Sequence, residues 1–202
     1  MIWFYLKNLR LLRVSGIFVP FKIANPAIIQ IQQKAILKLG SRITIGNKKK
    51  ALLSGIPTNL NFRNNSSTFF GRSVSIGPGV NIIAKEDAEL HIGDNTYFTS
   101  DAHIEAVKSI RIGKDCAISW GVTIIDSNHH DIIYGGKKAV IDEPVIIGDN
   151  VWIGCNVTIL KGTLIGSGSI VAAGSIVSGT YPENSLIAGN PAKLVRENVD
   201  WK

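Results

Sequence analysis

Apolar residues recur at every sixth position over long stretches of the chain, separated by polar and small residues. The longest run lies within residues 145–179, where a Val, Thr or Ser also stands two positions before each in-phase apolar residue. Shorter runs with the same spacing lie nearer the N-terminus. The in-phase positions are Ile147, Ile153, Ile159, Ile165, Val171 and Val177; Ile112, Ile118 and Ile124; Ile92, Phe98 and Ile104; Ile76 and Ile82; and Ile45, which marks a degenerate first turn.

This six-residue period predicts a β-helix. On an α-helix the in-phase residues would leave a common face within two repeats, and an ordinary strand alternates with a period of two. We therefore expect each six-residue unit to form one short strand and one corner, and three units to close one coil. The predicted fold is all-β: a parallel β-helix (hexapeptide-repeat solenoid) over residues 41–197. A basic, partly helical extension is predicted over residues 1–40 and a tail over 198–202.

A polar insert, residues 126–144, interrupts the six-residue phase between Ile124 and Ile147. A solenoid does not require such an insert, and loops held out from a rigid scaffold commonly carry function. The insert contains His129 and His130, and a neutral imidazole can take a proton from a hydroxyl group. Because adjacent residues on an extended segment point in opposite directions, we expect one of the two to face a substrate.

Basic and acidic residues are unevenly distributed along the chain. Residues 1–85 contain thirteen Lys and Arg and no Asp or Glu, whereas residues 86–202 contain nine basic and fifteen acidic residues. The first thirteen residues combine aromatic residues, leucines and cations, as in a helix at an anionic membrane surface. A helix that packs on its own domain or on a partner subunit is an equal alternative. Binding to nucleic acid is a weaker interpretation of the basic residues, because no nucleic-acid-binding motif accompanies them.

Three features together resemble the left-handed β-helix acyltransferases, closest to the sugar O-acetyltransferases of capsule, exopolysaccharide and lipopolysaccharide synthesis. The first is the set of [LIV]-G-x4 hexads, and the second is the histidine-containing insert, which begins within ISWGVTIIDSNHHDI. The third is the ending SLIAGNPAKLVRE. The resemblance covers roughly residues 74–197 and implies a left-handed coil, which periodicity alone does not determine.

The resemblance also implies a function. The acyl donor is expected to be acetyl-CoA, the acceptor a sugar hydroxyl on a glycan or its precursor, and no metal is expected. The protein is expected to be a homotrimer with its active site between subunits, and not to bind nucleic acid. A cytoplasmic location is expected, with the basic N-terminal region as a contact to the inner face of the cell membrane.

The same resemblance assigns candidate residues. The loop pattern D-x-[ND]-x-H favours His130 over His129 as the base. Asp126 is expected either to orient the imidazole or to cap a turn, and Asn128 to hold the ring or the acceptor. Weaker acceptor candidates are Asp101 and His103. The candidate donor contacts are Trp152, Cys155, Ala173, Ser178, Gly179, Lys193 and Arg196.

Two alternatives remain at this point. An N-acetyltransferase of a nucleotide-linked amino sugar would use similar residues on a different acceptor atom, although no G-x-G-x-x-G motif stands near the N-terminus. A non-catalytic hexapeptide-repeat scaffold would have little need for an inserted histidine loop. Loss or retention of acyl transfer when the loop histidines are replaced discriminates between the enzyme and the scaffold.

Overall fold

The computed structural model describes residues 22–23, 27–41, 43–46 and 57–202, and these residues form a parallel β-helix. Each full coil contributes one strand to each of three sheets, so that successive strands of a coil lie in different sheets. The strands of each sheet pair in parallel, except that the final strand turns back within its own sheet. We number the sheets in the order in which the chain enters them. A short antiparallel pair stands apart from the three sheets.

The strands are short, because each spans one face of a coil. Sheet 1 consists of β1 (Lys22–Ile23), β4 (Thr44–Ile45), β7 (Ser75–Ile76), β10 (Tyr97–Phe98), β13 (Ala117–Ile118), β18 (Trp152–Ile153), β21 (Ile170–Val171), β24 (Leu186–Gly189) and β25 (Ala192–Arg196). Sheet 2 consists of β2 (Ala27–Ile31), β5 (Thr58–Phe62), β8 (Asn81–Ala84), β11 (His103–Ala106), β14 (Thr123–Ile125), β19 (Thr158–Ile159) and β22 (Ile176–Val177). Sheet 3 consists of β3 (Ile36–Leu39), β6 (Ser67–Phe70), β9 (Glu89–Ile92), β12 (Ser109–Ile112), β17 (Val145–Ile147), β20 (Leu164–Ile165) and β23 (Thr180–Tyr181). The separate pair is β15 (Ile133–Tyr134) and β16 (Lys137–Lys138).

The core is a set of stacked apolar columns along the axis of the coil. Ile118 is in register with Ile153, and Ile153 with Val171, so that one column runs through sheet 1. Equivalent columns run through the other two sheets. All in-phase residues predicted from the sequence are buried, as are the Val, Thr and Ser residues two positions before those of the long run. The predicted period and its inward phase are confirmed.

The described part of the predicted N-terminal extension is not helical. Strands β2 and β3 fall within residues 1–40, and they pair in parallel with β5 and β6 of the β-helix. In β2 the buried Ile29 lies between the exposed Ile28 and Gln30, which is the alternation of a strand. The partly helical prediction is therefore wrong for this part. Residues 1–21, which carry the predicted membrane contact, lie outside the described residues. Among the described residues, no helix is long and apolar enough to cross a membrane.

Close contact between coils explains why a glycine follows the in-phase residue in one of the [LIV]-G-x4 hexads. Gly154 follows the inward Ile153 at the corner between sheets 1 and 2. A Cβ atom added to Gly154 would lie 2.6 Å from the backbone nitrogen of Ala173 on the next coil. Only a residue without a side chain lets the two coils stack at this corner, and the corner forms the wall of the groove described below.

The predicted insert leaves the β-helix between sheets 2 and 3 as a two-stranded arm, residues 126–144. Near its base, Ser127 and Asp142 form an antiparallel bridge, and the N–H of Asn128 donates to the carbonyl of Ile141. Farther out, β15 and β16 pair across Gly135 and Gly136, which both have positive φ angles. The arm is therefore held at its base and exposed at its tip.

Candidate active site

An apolar groove of about 460 Å³ follows the corner between sheets 1 and 2, and its lining residues come from four consecutive coils. Its walls include Trp120 and Trp152, whose side chains are exposed, together with Cys155 and Ala173. The groove therefore brings together three of the residues that the sequence assigns to the donor, namely Trp152, Cys155 and Ala173. Among the described residues that line it, none is a histidine or a carboxylate.

The two basic donor candidates lie on β25, at the C-terminal end of sheet 1. On adjacent strands of sheet 1, Trp152 lies opposite Ile170, Ile170 opposite Leu186, and Leu186 opposite Arg196. Leu186 and Ile170 both line the groove, so Arg196 stands at the end of the same row of side chains. Lys193 is on the same strand, paired with Ala188, and both basic residues are exposed. Guanidinium and ammonium groups are the side chains that commonly bind phosphate.

Ser178 and Gly179 lie elsewhere. They follow β22 and occupy the corner between sheets 2 and 3, where the carbonyl of Gly179 accepts the N–H of Leu164. The carbonyl of Ser178 accepts a hydrogen bond from the Tyr181 hydroxyl. The structure does not bring these two residues together with the groove of the same chain, because one whole face of the coil separates the two corners.

Asp126 is a cap at the base of the arm. Its buried carboxylate accepts hydrogen bonds from the backbone N–H groups of Val107, Lys108 and Ser109 at 2.8, 2.8 and 2.6 Å. Its carbonyl accepts the N–H of Glu143, where the arm returns. Among the described residues, Asp126 has no contact with either loop histidine, so the turn-cap interpretation is the one that its hydrogen bonds match.

The two loop histidines differ in their surroundings. The backbone of His129 has a φ of 58° and its N–H donates to the Ser127 hydroxyl. Its Nε2 lies 4.0 Å from Oε1 of Glu105, a residue of β11. His130 is exposed, and among the described residues it has no hydrogen bond or ion pair. The arm therefore turns His129, rather than His130, toward a polar cluster on the outer face of sheet 2.

That cluster is built around Glu105. One carboxylate oxygen lies 3.3 Å from Nε2 of His103, and the other lies 2.8 Å from the Lys85 ammonium. Burial alone would raise the pKa of Glu105, but the hydrogen bond and charge of Lys85, with the two histidines, hold this pKa below its ordinary value. Glu105 is therefore a carboxylate at neutral pH, only 14% exposed, between two imidazoles.

The acceptor candidates are spread over both regions. His103 belongs to the Glu105 cluster, where its Nδ1 lies 2.9 Å from the side-chain nitrogen of Asn81. Asn128 is half-buried beside the arm's base. Asp101 lies at the same corner as the groove, one coil toward the N-terminus, and its buried Oδ2 has no hydrogen-bond partner among the described residues.

Glu105, Lys85 and Asn81 were not predicted from the sequence. Asn81 and Lys85 belong to one coil and Glu105 to the next, and they come together because outward-facing positions repeat with the coil. A signal was present: Asn59, Asn81 and His103 are evenly spaced and occupy one outward row of sheet 2 in register. Polar residues that recur at the length of a coil, rather than every sixth residue, mark such a row.

The chain is thus a β-helix with hexapeptide repeats, an apolar corner groove and a histidine-bearing arm. Residues 144–179 match the bacterial transferase hexapeptide (six repeats) family. The chain is 34% identical over 164 residues to an uncharacterised 24.8 kDa protein in the cps region of Klebsiella pneumoniae, covering 77% of this chain and 73% of that protein. It is 36% identical over 145 residues to WbbJ of Escherichia coli (strain K12), a putative lipopolysaccharide biosynthesis O-acetyl transferase, covering 67% and 74%.

Among solved structures, the polysialic acid O-acetyltransferase OatWY is 29% identical, with a TM-score of 0.57 over 90% of each chain. These similarities define the class. The chain belongs to the bacterial hexapeptide-repeat transferases, and it is an acyltransferase whose coil is the left-handed parallel β-helix of that family.

Proposed function

We propose that the protein transfers an acetyl group from acetyl-CoA to a hydroxyl group of a sugar in a bacterial surface polysaccharide or its precursor. The similarity to WbbJ and to OatWY, both named as O-acetyltransferases, supports this substrate class. The observation that carries the proposal is the apolar groove, because it contains three residues assigned in advance to the donor.

The groove fits the donor in shape and chemistry. The small residues at its corner leave its side open, and a Cβ atom added to Gly174 would meet no atom within 4 Å. An extended pantetheine arm can lie along such a corner against the rings of Trp120 and Trp152. Arg196 and Lys193, at the C-terminal end, would then hold the phosphates of the nucleotide.

The general base is expected from outside the groove, because the part of the groove's lining that the structure describes contains no histidine and no carboxylate. We assign this role to His129, which is the loop histidine that contacts a charged partner. The sugar oxygen attacks the thioester carbonyl carbon while its proton passes to the imidazole. The tetrahedral intermediate then collapses, the C–S bond breaks, and the thiolate of CoA takes the proton.

We also propose that the protein is a homotrimer in which the arm of one subunit meets the groove of its neighbour. Two observations support this arrangement. Ile133 and Tyr134 at the tip of the arm are 68% and 69% exposed, and Trp120 and Trp152 beside the groove are 38% and 42% exposed. Apolar surface of this extent is typical of an interface between subunits.

The first experiment measures binding and transfer separately. Acetyl-CoA should raise the melting temperature of the wild type, since a ligand that binds only the folded form stabilises it. His129→Ala should keep this shift and lower turnover by roughly 10²–10⁴-fold, the usual contribution of a general base. His130→Ala is the matched control and should stay active. A reversed result would assign the base to His130, as the loop pattern favours, and full activity of both variants would remove the histidine mechanism.

The choice of acceptor distinguishes an O-acetyltransferase from an N-acetyltransferase and from a non-catalytic scaffold. Sugars that offer only hydroxyl groups should accept the acetyl group, whereas transfer to the amino group of a nucleotide-linked amino sugar alone would establish the N-acetyltransferase alternative. Binding of acetyl-CoA without transfer to any acceptor in either variant or wild type would favour the scaffold.

Subunit mixing tests the shared site. A trimer mixed from His129→Ala and a groove-blocking Ala173→Trp variant should recover about one quarter of wild-type activity if arm and groove belong to different subunits. If each site lies within one subunit, the mixture will stay as inactive as the two variants alone.

A further inference from the structure

We propose that Glu105 is the positioning residue for His129: it fixes which imidazole nitrogen carries the proton and stabilises the imidazolium that forms during transfer. The inference rests on the proposed function, in which His129 is the base. It goes beyond that function because Glu105 lies outside the insert, on strand β11 of the coil.

A hydrogen-bonded chain along sheet 2 holds Glu105 in place. The side-chain amide of Asn59 donates to Oδ1 of Asn81, at 2.9 Å, so the Asn81 nitrogen is the atom that faces His103. This nitrogen donates to Nδ1 of His103, which leaves the proton of a neutral His103 on Nε2. That N–H points at the Glu105 carboxylate, 3.3 Å away. Each member therefore specifies the orientation of the next.

The second oxygen of Glu105 is shared between a fixed and a movable partner. Lys85 lies 2.8 Å away and is itself held by the coil, whereas Nε2 of His129 lies 4.0 Å away. This last separation is too long for a hydrogen bond, but catalytic hydrogen bonds in unliganded enzymes are often long and tighten when substrate binds. The negative charge of Glu105 already favours an N–H group, rather than a lone pair, at Nε2 of His129, which is the ring nitrogen nearer to the carboxylate.

The contact with Glu105 determines which nitrogen of His129 can act as the base. With its proton on Nε2 and directed at Glu105, His129 presents the lone pair of Nδ1 to the sugar hydroxyl. When the hydroxyl proton reaches Nδ1, the ring becomes positive opposite a carboxylate that Lys85 and His103 keep ionised. The proton then leaves from Nδ1 to the CoA thiolate, and the ring returns to its starting form. An exposed loop imidazole, 44% exposed here, would otherwise sample both tautomers and many orientations.

The experiment compares Glu105→Gln and Glu105→Asp with Glu89→Gln, an exposed strand carboxylate on sheet 3 as the matched control. Gln keeps the shape of Glu105 and one acceptor oxygen, which can still bond Lys85, but it removes the charge and turns an amide nitrogen, a donor, toward the Nε2–H of His103. We expect kcat to fall roughly 10–100-fold, the usual effect of misplacing a catalytic group. The KM and the melting shift for acetyl-CoA should stay unchanged. Glu105→Asp should recover part of the lost kcat, and Glu89→Gln should match the wild type.

A double-variant cycle separates positioning from a structural role. If Glu105 acts through His129, Glu105→Gln should lower the residual activity of His129→Ala no further. An additional loss in that background, or wild-type kcat in Glu105→Gln while His129→Ala is inactive, would overturn the inference and leave the proposed function standing. If His129→Ala itself is fully active, the base assignment in the proposed function is wrong, and the role of Glu105 falls with it.

Discussion

Replacing Asp126 with alanine should destabilise the whole coil rather than remove a catalytic group. The carboxylate of Asp126 is fully buried and accepts three backbone N–H groups at 2.6–2.8 Å. Its removal leaves three donors at the corner between β11 and β12 without a protein partner. A hydrogen bond to a charged group contributes about 1.5–3 kcal/mol to stability. Water that enters the space left by the side chain can bond to the freed N–H groups, and this offsets part of the stability lost with the three hydrogen bonds. We therefore expect Asp126→Ala to lower the free energy of unfolding by about 3–5 kcal/mol.

Urea unfolding followed by circular dichroism measures this loss. Asp131→Ala is the matched control, because Asp131 pairs with Lys138 at 2.8 Å on the exposed part of the arm. Exposed ion pairs contribute little, so the control should lie within about 1 kcal/mol of the wild type. An Asp126→Ala protein as stable as the control, but inactive, would contradict the capping role and restore a catalytic one.

Three further predictions concern the core, the thiols and the C-terminal tail. Ile153→Ala empties part of a buried column and should lower stability by about 2–5 kcal/mol, whereas Ile146→Ala on the outer face should change it by less than about 1 kcal/mol, both measured by urea unfolding. Burial raises the pKa of Cys116 to about 11, so a thiol reagent at pH 8 should modify Cys155 alone in the folded protein and both thiols in denaturant. Trp201 lies 6.1 Å from Trp152 between ring centres and donates its indole N–H to a backbone carbonyl; Trp201→Ala should lower stability by about 1 kcal/mol and shift tryptophan emission to longer wavelength.

The sequence predicted the inside of this molecule well and its outside only in part. Inward positions repeat every sixth residue because each coil must fill the same narrow axis, so Ile118, Ile153 and Val171 follow from spacing alone. The insert was recognisable for the same reason, since it breaks the phase. The partly helical prediction failed over the described residues because β2 satisfies its backbone in the sheet, where β5 supplies the ladder partners.

The candidate site depends on contacts between coils, which a linear pattern does not report. The structure brings two predicted donor residues, Trp152 and Ala173, to one groove, whereas Ser178, which the same prediction grouped with them, lies at another corner. Glu105 carried no local motif, since its partners Lys85 and His129 come from a different coil and from the arm. Such clusters depend on the register between coils, and register is fixed only when the chain has folded.

The last strand gives this β-helix a defined end. Every coil pairs in parallel with the next, so an uncovered final coil would present strand edges ready to accept another coil from a second molecule. Strand β25 instead turns back and pairs with β24 in the antiparallel direction. A parallel coil cannot continue in register from a reversed strand on this sheet. The strand that carries Lys193 and Arg196, at the end of the apolar groove, therefore also acts against end-to-end polymerisation of the protein.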